Sequence, residues 1–461
     1  MTRASAVRGP AVATVVIAAT LGLAWPPAAA AAPVSVDHWV MSNGLTVLFV
    51  ERHAIPAAQA HLVVKTGSSA DPSGRTGLAA LTSGLMTKGT PTRSAVEIAE
   101  AIDFIGGSLS SGVTEDFSTV TLTALKKDLP AALSLMSDVV LNPAFPAAEV
   151  ERVRRETLSG IAADKDNPET VAAKAFAPLV FGTHPYARPI EGTETTVPLL
   201  TREELVAFHR TYYRPNNSAL VLVGDLTKRE ARRAAQNAFG RWERADVPPA
   251  AVPSIPALRE RRVELIEKDL TQATVLLGHA GIARSDPDFY AVTVMNYILG
   301  GGGFASRLMT RIRDNEGLVY GISSGFDAKR YPGAFSVALQ TKTESAPAAI
   351  RAVLEEIAKI RADGVTEAEL DGAKRYLAGS FPLRYETNSR LATLVGMVEL
   401  YGLGAAYFED YPQKIRAVTL EDVRRVAVAR LDAERYVLVV VGRAERIGPA
   451  LNPSTGREGT P

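Results

Sequence analysis

Apolar residues recur along this chain with two different periods. Gly44-Leu-Thr-Val-Leu-Phe-Val50 and Ala60-His-Leu-Val-Val-Lys-Thr66 read as neighbouring strands. Helical spacing of apolar side chains runs from Ser94 to Ile105, Pro130 to Leu141, Ala348 to Ile360 and Glu367 to Leu377. Strands followed by runs of helices predict an α+β fold with helices layered on a mostly antiparallel sheet.

The pattern occurs twice. Thr201-Arg-Glu-Glu-Leu205 opens a helix that leads into the apolar run Ala219 to Gly224, and Thr419-Leu-Glu-Asp-Val423 opens one that leads into Val437 to Gly442. The Thr-to-Gly separation is 23 residues in both, and both openings have the Thr-x-x-acid form of a capping box. Phe145 to Glu149 and Arg155 match Val365 to Glu369 and Arg375 in the same way. The offsets, 218 and 220 residues, point to one duplication. Between the copies, the stretch from Val247 to Pro256 holds four prolines and reads as an extended linker. The expected organisation is a segment 1–32 outside the fold, homologous domains 33–246 and 259–445, a linker 247–258, and a disordered tail 446–461.

Composition narrows the setting. Arg3 and Arg8, the apolar run Ala11 to Ala24 and the alanine tract Ala28 to Ala32 have the layout of a secretory signal peptide. That run is short of the roughly 20 residues a membrane-spanning helix needs. No later stretch is long and apolar enough to span a membrane, so an exported, periplasmic chain without stable membrane insertion is expected. There is no cysteine, so stability must come from the cores and no thiol nucleophile exists. The 51 basic and 50 acidic residues nearly cancel, which argues against a nucleic-acid binder.

Several segments together resemble the pitrilysin (insulinase) family of inverted-zincin metallopeptidases. They are Asn43-Gly-Leu-Thr-Val47, Gly67 to Ala79, Lys88-Gly-Thr90, His184-Pro-Tyr186, Gly192-Thr193, Tyr213-Arg-Pro-Asn216, Leu299 to Leu308 and Glu316 to Tyr320. The resemblance implies a duplicated metallopeptidase-like fold and an H-x-x-E-H zinc motif on a helix. By register, the motif positions here are Ala80, Ser83 and Gly84, which remove both imidazoles and the general base. The third ligand position falls at Ser159 or Gly160, with Glu151 and Glu156 the nearest upstream acids. The six histidines, at 38, 53, 61, 184, 209 and 279, include no pair three or four apart. No metal ligand and no bound cofactor are therefore expected in this chain.

The family's Arg and Tyr, seven residues apart in the C-terminal half, match Arg313 and Tyr320. The resemblance gives them catalytic and substrate-binding roles: the phenol stabilises the carbonyl oxygen as charge develops, and the guanidinium holds a substrate carbonyl or orients the tyrosine. Locally, Phe304, Leu308 and Ile312 mark one apolar helix face, and Gly317 fits the helix stop. Arg307 and Arg311 share a side from which Arg313 points away. A solvated Arg313 and a core Tyr320 are the plainer readings of the same residues. The glycine run Gly300 to Gly303 lacks the Lys-Ser/Thr of a phosphate loop and reads as a flexible connection.

The resemblance thus implies the non-catalytic subunit of a heterodimeric zinc metallopeptidase. A homologous subunit bearing H-x-x-E-H would carry the zinc and cleave unfolded peptides. The alternative is a catalytically inactive peptide-binding or structural homologue with no peptidase partner. No G-x-S-x-G elbow supports an autonomous hydrolase.

Overall fold

The computed structural model describes residues 34–249 and 252–451, so the expected signal segment and the last ten residues lie outside the described part. The first half forms a sheet of β1 (Asp37–Val40), β2 (Thr46–Glu51), β3 (Ala57–Val64), β4 (Ser108–Val113), β5 (Ser118–Leu125) and β6 (Ser218–Gly224). The second half forms one of β7 (Arg262–Glu267), β8 (Gln272–Ala280), β9 (Val319–Phe326), β10 (Ala334–Lys342) and β11 (Val437–Gly442).

The strand orders are β1-β2-β6-β3-β5-β4 and β7-β11-β8-β10-β9. Without β1 they coincide position by position, which is the duplication seen in three dimensions. β2 and β3 are not neighbours, contrary to the sequence reading. β6 lies between them, parallel to β2 and antiparallel to β3. This pairing joins segments far apart in the chain, and local periodicity carries no trace of it.

The four helical windows fold as Ala95–Phe104, Leu129–Leu141, Ala346–Asp363 and Glu367–Gly379. The two threonine caps form as reciprocal boxes. Thr201 Oγ1 accepts from Glu204 N at 3.2 Å while the Glu204 carboxylate accepts from Thr201 N at 2.8 Å. Thr419 and Asp422 repeat the arrangement.

All residues of β6 and β11 are buried, because both faces of each sheet are covered. Leu220 and Leu222 face the first half's own helices, whereas Ala219, Val221 and Val223 join the larger core of the second half. The covering element there is the helix Asn388–Leu400, which crosses from the second half onto β3 and β6. In return the helix Pro168–Phe181 crosses from the first half onto β8 and β11, packing Ala172, Phe176 and Val180 on Val437, Val439 and Val441. These helices occupy equivalent places in the repeat, so each half lends the other one layer.

Hydrogen bonds reinforce the exchange. Asp116, buried in the first half, accepts from Tyr186 OH at 2.5 Å, from the Arg330 backbone N at 2.8 Å and from Tyr401 OH at 3.3 Å. Lys65 pairs with Glu399 at 2.9 Å across the same seam.

The described linker residues form no helix or strand, and Ile255 and Leu258 lie against the apolar cluster under β11. The tail expected to be disordered from residue 446 begins instead as a helix, Ala444–Leu451. Fully buried Ile447 anchors it, and it repeats the place of Lys228–Phe239 after β6.

Candidate functional site

The Arg/Tyr segment is built on the buried side chains Leu308 and Ile312, both fully inaccessible. From Met309 to Asn315 the chain is wound as a π-helix, a local widening common at functional sites. Gly317, at φ +64°, stops it, and Leu318 N then donates to Ile312 O at 2.9 Å as the chain turns into β9.

Phe304 does not belong to the apolar face on which the sequence reading placed it. It sits in the preceding 3-10 turn Gly303–Ala305 and is 71% exposed. Gly303, at φ +57°, redirects the chain there. The glycine run is also not a flexible connection: Tyr297–Gly301 is a π-helical turn. A Cβ on Gly300 would come within 2.5 Å of Ser324 Oγ, so the helix packs on β9 only with glycine at that position.

The three arginines divide as their spacing suggests. Arg307 is held by Glu369 at 2.6 Å, and Arg311 by Glu316 at 3.0 Å and by Glu355. Arg313 points elsewhere. Its Nε donates to the Tyr320 carbonyl at 2.9 Å, its Nη1 to Asp314 at 2.8 Å, and its guanidinium lies 5.1 Å from the centre of the Phe304 ring.

Tyr320 sits in a β-bulge. Gly321 pairs with Gln340 and Val319 with Thr341, which leaves Tyr320 without a partner across the ladder. The bulge swings its side chain outward, 84% exposed, which removes the core-tyrosine reading. Among the described residues its hydroxyl has no hydrogen-bond partner. β9 is an edge strand. Beside Tyr320 a groove of about 490 Å³ runs between β8, β9, β10 and the crossing helix, floored by Ala172 and Ala173 and flanked by Glu169. The exposed surface thus combines a free phenol, a guanidinium that fixes the backbone beneath it, a second aromatic ring and an open strand edge.

Sequence reasoning missed Phe304 and the crossing helix. The first was detectable, because an aromatic between Gly303 and Ser306 precedes the helix rather than belonging to it. The second had no local signal.

The zinc-motif positions lie on the other half, on the helix Leu78–Leu85. Gly77, at φ +101°, lets the chain enter it, and the Asp71 carboxylate caps it by accepting from Gly77 N and Ala79 N, both at 2.9 Å. Burial pushes Asp71 up to about 7 against the pull of those hydrogen bonds.

Ala80 and Gly84 lie on one face a turn apart, and a Cβ on Gly84 would meet nothing within 4 Å. Ser83, only 2% exposed, turns inward: its Oγ donates to Gly112 O at 3.2 Å, and its carbonyl accepts from Ser111 Oγ at 2.7 Å. Ser159 and Gly160 are exposed on the adjoining helix Ala147–Ala163. Glu151 and Glu156 pair with Arg154 and Arg152 along that helix. Ala80, Ser83, Gly84, Ser159 and Gly160 offer none of the three nitrogen, sulfur or carboxylate donors a catalytic zinc requires, so they do not fit the ion. Among the described residues no group of three or more His, Asp and Glu could hold a metal.

The histidines serve elsewhere. His61 bonds Thr121, His209 bonds the Val140 carbonyl, and burial lowers both to about 4. His53 lies between Glu51 and Asp225 on the surface.

Comparison with known proteins gives a consistent result. Residues 46–194 match the insulinase (peptidase family M16) profile, and residues 199–377 match the peptidase M16 inactive domain. An uncharacterized zinc protease of Mycobacterium tuberculosis is 32% identical over 421 residues, covering 90% of this chain and 94% of that protein. One from Streptomyces coelicolor is 29% identical, covering 85% and 86%. The crystal structure of a peptidase M16 inactive domain from Pseudomonas fluorescens superposes with a TM-score of 0.84 at 32% identity, covering 89% of this chain and 98% of that one. A Helicobacter pylori protease shares the fold at a TM-score of 0.83 and 20% identity, with 89% of this chain and 100% of that one covered.

Proposed function

The chain belongs to the insulinase family, peptidase family M16, and on that premise we propose that it is the non-catalytic subunit of a heterodimeric, periplasmic zinc peptidase. Its partner would be a homologue with an intact H-x-x-E-H helix, and the zinc would belong to that partner. One observation carries the reading: an outward-turned Tyr320, tethered by Arg313, in a chain whose own motif positions hold no ligand.

This chain's residues would act on the substrate as follows. An extended, unfolded peptide lies along the β9 edge and its groove, held by main-chain hydrogen bonds as strand addition requires. Tyr320 donates its hydroxyl proton in a hydrogen bond to the scissile carbonyl oxygen as negative charge develops there. Arg313 is a positioning residue: its Nε holds the Tyr320 carbonyl, so the bulge and the phenol direction are set before substrate arrives.

The test is to mix the purified chain with an H-x-x-E-H homologue from the same organism and follow cleavage of an unstructured peptide. Activity should need both chains, and Tyr320→Phe should abolish most of it. A partner fully active alone, or a mixture indifferent to Tyr320→Phe, would remove the role proposed for this chain. The latter result would favour a binding or structural homologue.

A further inference from the structure

A second cavity lies away from the Arg/Tyr wall, where the linker passes the end of β8. It measures about 430 Å³ and opens between Ile255–Leu258, His279–Gly281 and Val428–Arg435. That size suits a small molecule. Three guanidinium groups line it, from Arg361, Arg430 and Arg435.

The negative charge nearby is already engaged. Asp432, the carboxylate in the lining, accepts from the backbone N of Glu434 and of Arg435, each at 2.9 Å, and from Arg435 Nε at 2.8 Å. Arg430 reaches Asp288 at 2.9 Å and Asp286 at 3.1 Å through Nη2, but its Nε is buried without an acceptor. Arg361 makes no ion pair or hydrogen bond to any described residue, and its Nε too is buried without one. His279 adds no negative charge. Its Nε2 accepts from Asp432 N at 3.2 Å, so the ring proton sits on Nδ1 and bonds the Ala280 carbonyl at 2.8 Å. Burial lowers the pKa of that ring and so favours its neutral form.

We propose that this pocket binds a small oxyanion, a carboxylate or phosphate group on an apolar body, with Arg361 as its main contact. The Nη nitrogens of Arg361 bond no described residue and, unlike its Nε, are not buried, so an oxyanion in the pocket can satisfy them through short, charge-assisted hydrogen bonds. The planar fork of Arg361 can meet two oxygens at once. Ile255, Leu258 and Leu431 give the apolar part of the ligand a wall. The inference is independent of the peptidase partner.

Isothermal titration of the full chain at low ionic strength tests it, with inorganic phosphate, phenyl phosphate, N-acetyl-leucine and N-acetyl-leucinamide as probes. At least one of the phosphates or the free acid should bind saturably, and the amide should not. Tighter binding of phosphate or of the acid identifies the source of the oxyanion. Arg361→Gln should weaken that binding ten-fold or more, and Arg435→Gln by less. Arg361 has no partner to lose and Arg435 is exposed, so both variants should melt as the wild type does. Absence of saturable binding, equal binding of acid and amide, or full affinity in Arg361→Gln would overturn the proposal.

Discussion

The two halves of this chain share a topology and differ in what they present. On the first, the helix Leu78–Leu85 offers Ala80 and Gly84, while Ser83 is turned inward and satisfied by β4. On the second, a bulge turns Tyr320 outward, a 3-10 turn exposes Phe304, and Arg313 at the end of a π-helix lies between them. One surface has lost every group that could do chemistry. The other combines a π-helix and a bulge with an exposed phenol that, among the described residues, has no hydrogen-bond partner, and the proposed role is assigned there for that reason. Unusual local geometry around an exposed, unpartnered group raises a hypothesis of function that the motif positions of the first half do not.

The largest expected effect tests the second half. In the reconstituted mixture, Tyr320→Phe should lower kcat by on the order of 10²–10³ with KM little changed, measured from initial rates on an unstructured peptide. Arg313→Ala should lower kcat less, and Arg313→Lys should not restore it, because one ammonium cannot make the Nε bond to the Tyr320 carbonyl and the Nη1 bond to Asp314 in the guanidinium's fixed geometry.

The next test concerns the seams under the crossing helices, where the halves also differ. His61 lies beneath Gly396 of the helix Asn388–Leu400, and the ladder registers place Leu276 at the equivalent point of the other sheet. His61 and His209 titrate near 4 in the folded chain, below the unfolded value of about 6.5. The unfolded chain therefore takes up protons first. The histidines' contribution is whole above pH 6.5 and falls as pH drops toward 4, by on the order of 2–3 kcal/mol each. Asp71, raised to about 7 in the folded chain, takes up its proton first in the folded state and offsets part of that loss. Urea denaturation of wild type and His61→Leu in parallel isolates the histidine part: between pH 6.5 and 4 the variant should lose about 2–3 kcal/mol less than the wild type.

Attempts to erase the difference between the halves should fail. Restoring the motif with Ala80→His, Ser83→Glu and Gly84→His should give no zinc-dependent cleavage by the chain alone, because Ser159 and Gly160 supply no third ligand. Ser83→Glu should itself destabilise the fold by about 2 kcal/mol in denaturant titration, since it buries a carboxylate against the Gly112 carbonyl.

The smallest expected effect is at the seam itself. A Cβ on Gly396 would lie 3.0 Å from Val63 Cγ2 and 3.2 Å from His61 Cδ2. Gly396→Ala should therefore cost about 1 kcal/mol by the same assay, with the overpacking only partly offset by better helix propensity.

What could be read from the chain was whatever has a local signature. The capping threonines 201 and 419, the helical windows and the repeat all leave marks within a few residues of one another. Arg313 and Tyr320 were legible through the family register, and Gly317 through helix-stop chemistry. The insertion of β6 between β2 and β3 was not legible, because strand pairing between distant segments depends on the whole chain. The bulge at Tyr320 was hidden as well, since nothing in Leu318 to Gly321 shows that one residue is skipped across the ladder. The buried runs of β6 and β11 did announce strands covered on both faces. They could not say that the cover would come from the opposite half.

That exchange of layers has a consequence for biosynthesis. When the first half has left the ribosome, the face of β6 formed by Ala219, Val221 and Val223 still lacks the helix Asn388–Leu400. The helix Pro168–Phe181 likewise has no sheet to lie on until β8 and β11 exist. Neither half can finish folding before nearly the whole chain is made, so the nascent chain stays open over most of its synthesis. Under the periplasmic location proposed above, that delay would be useful, because a chain that cannot close early remains threadable through a translocation channel.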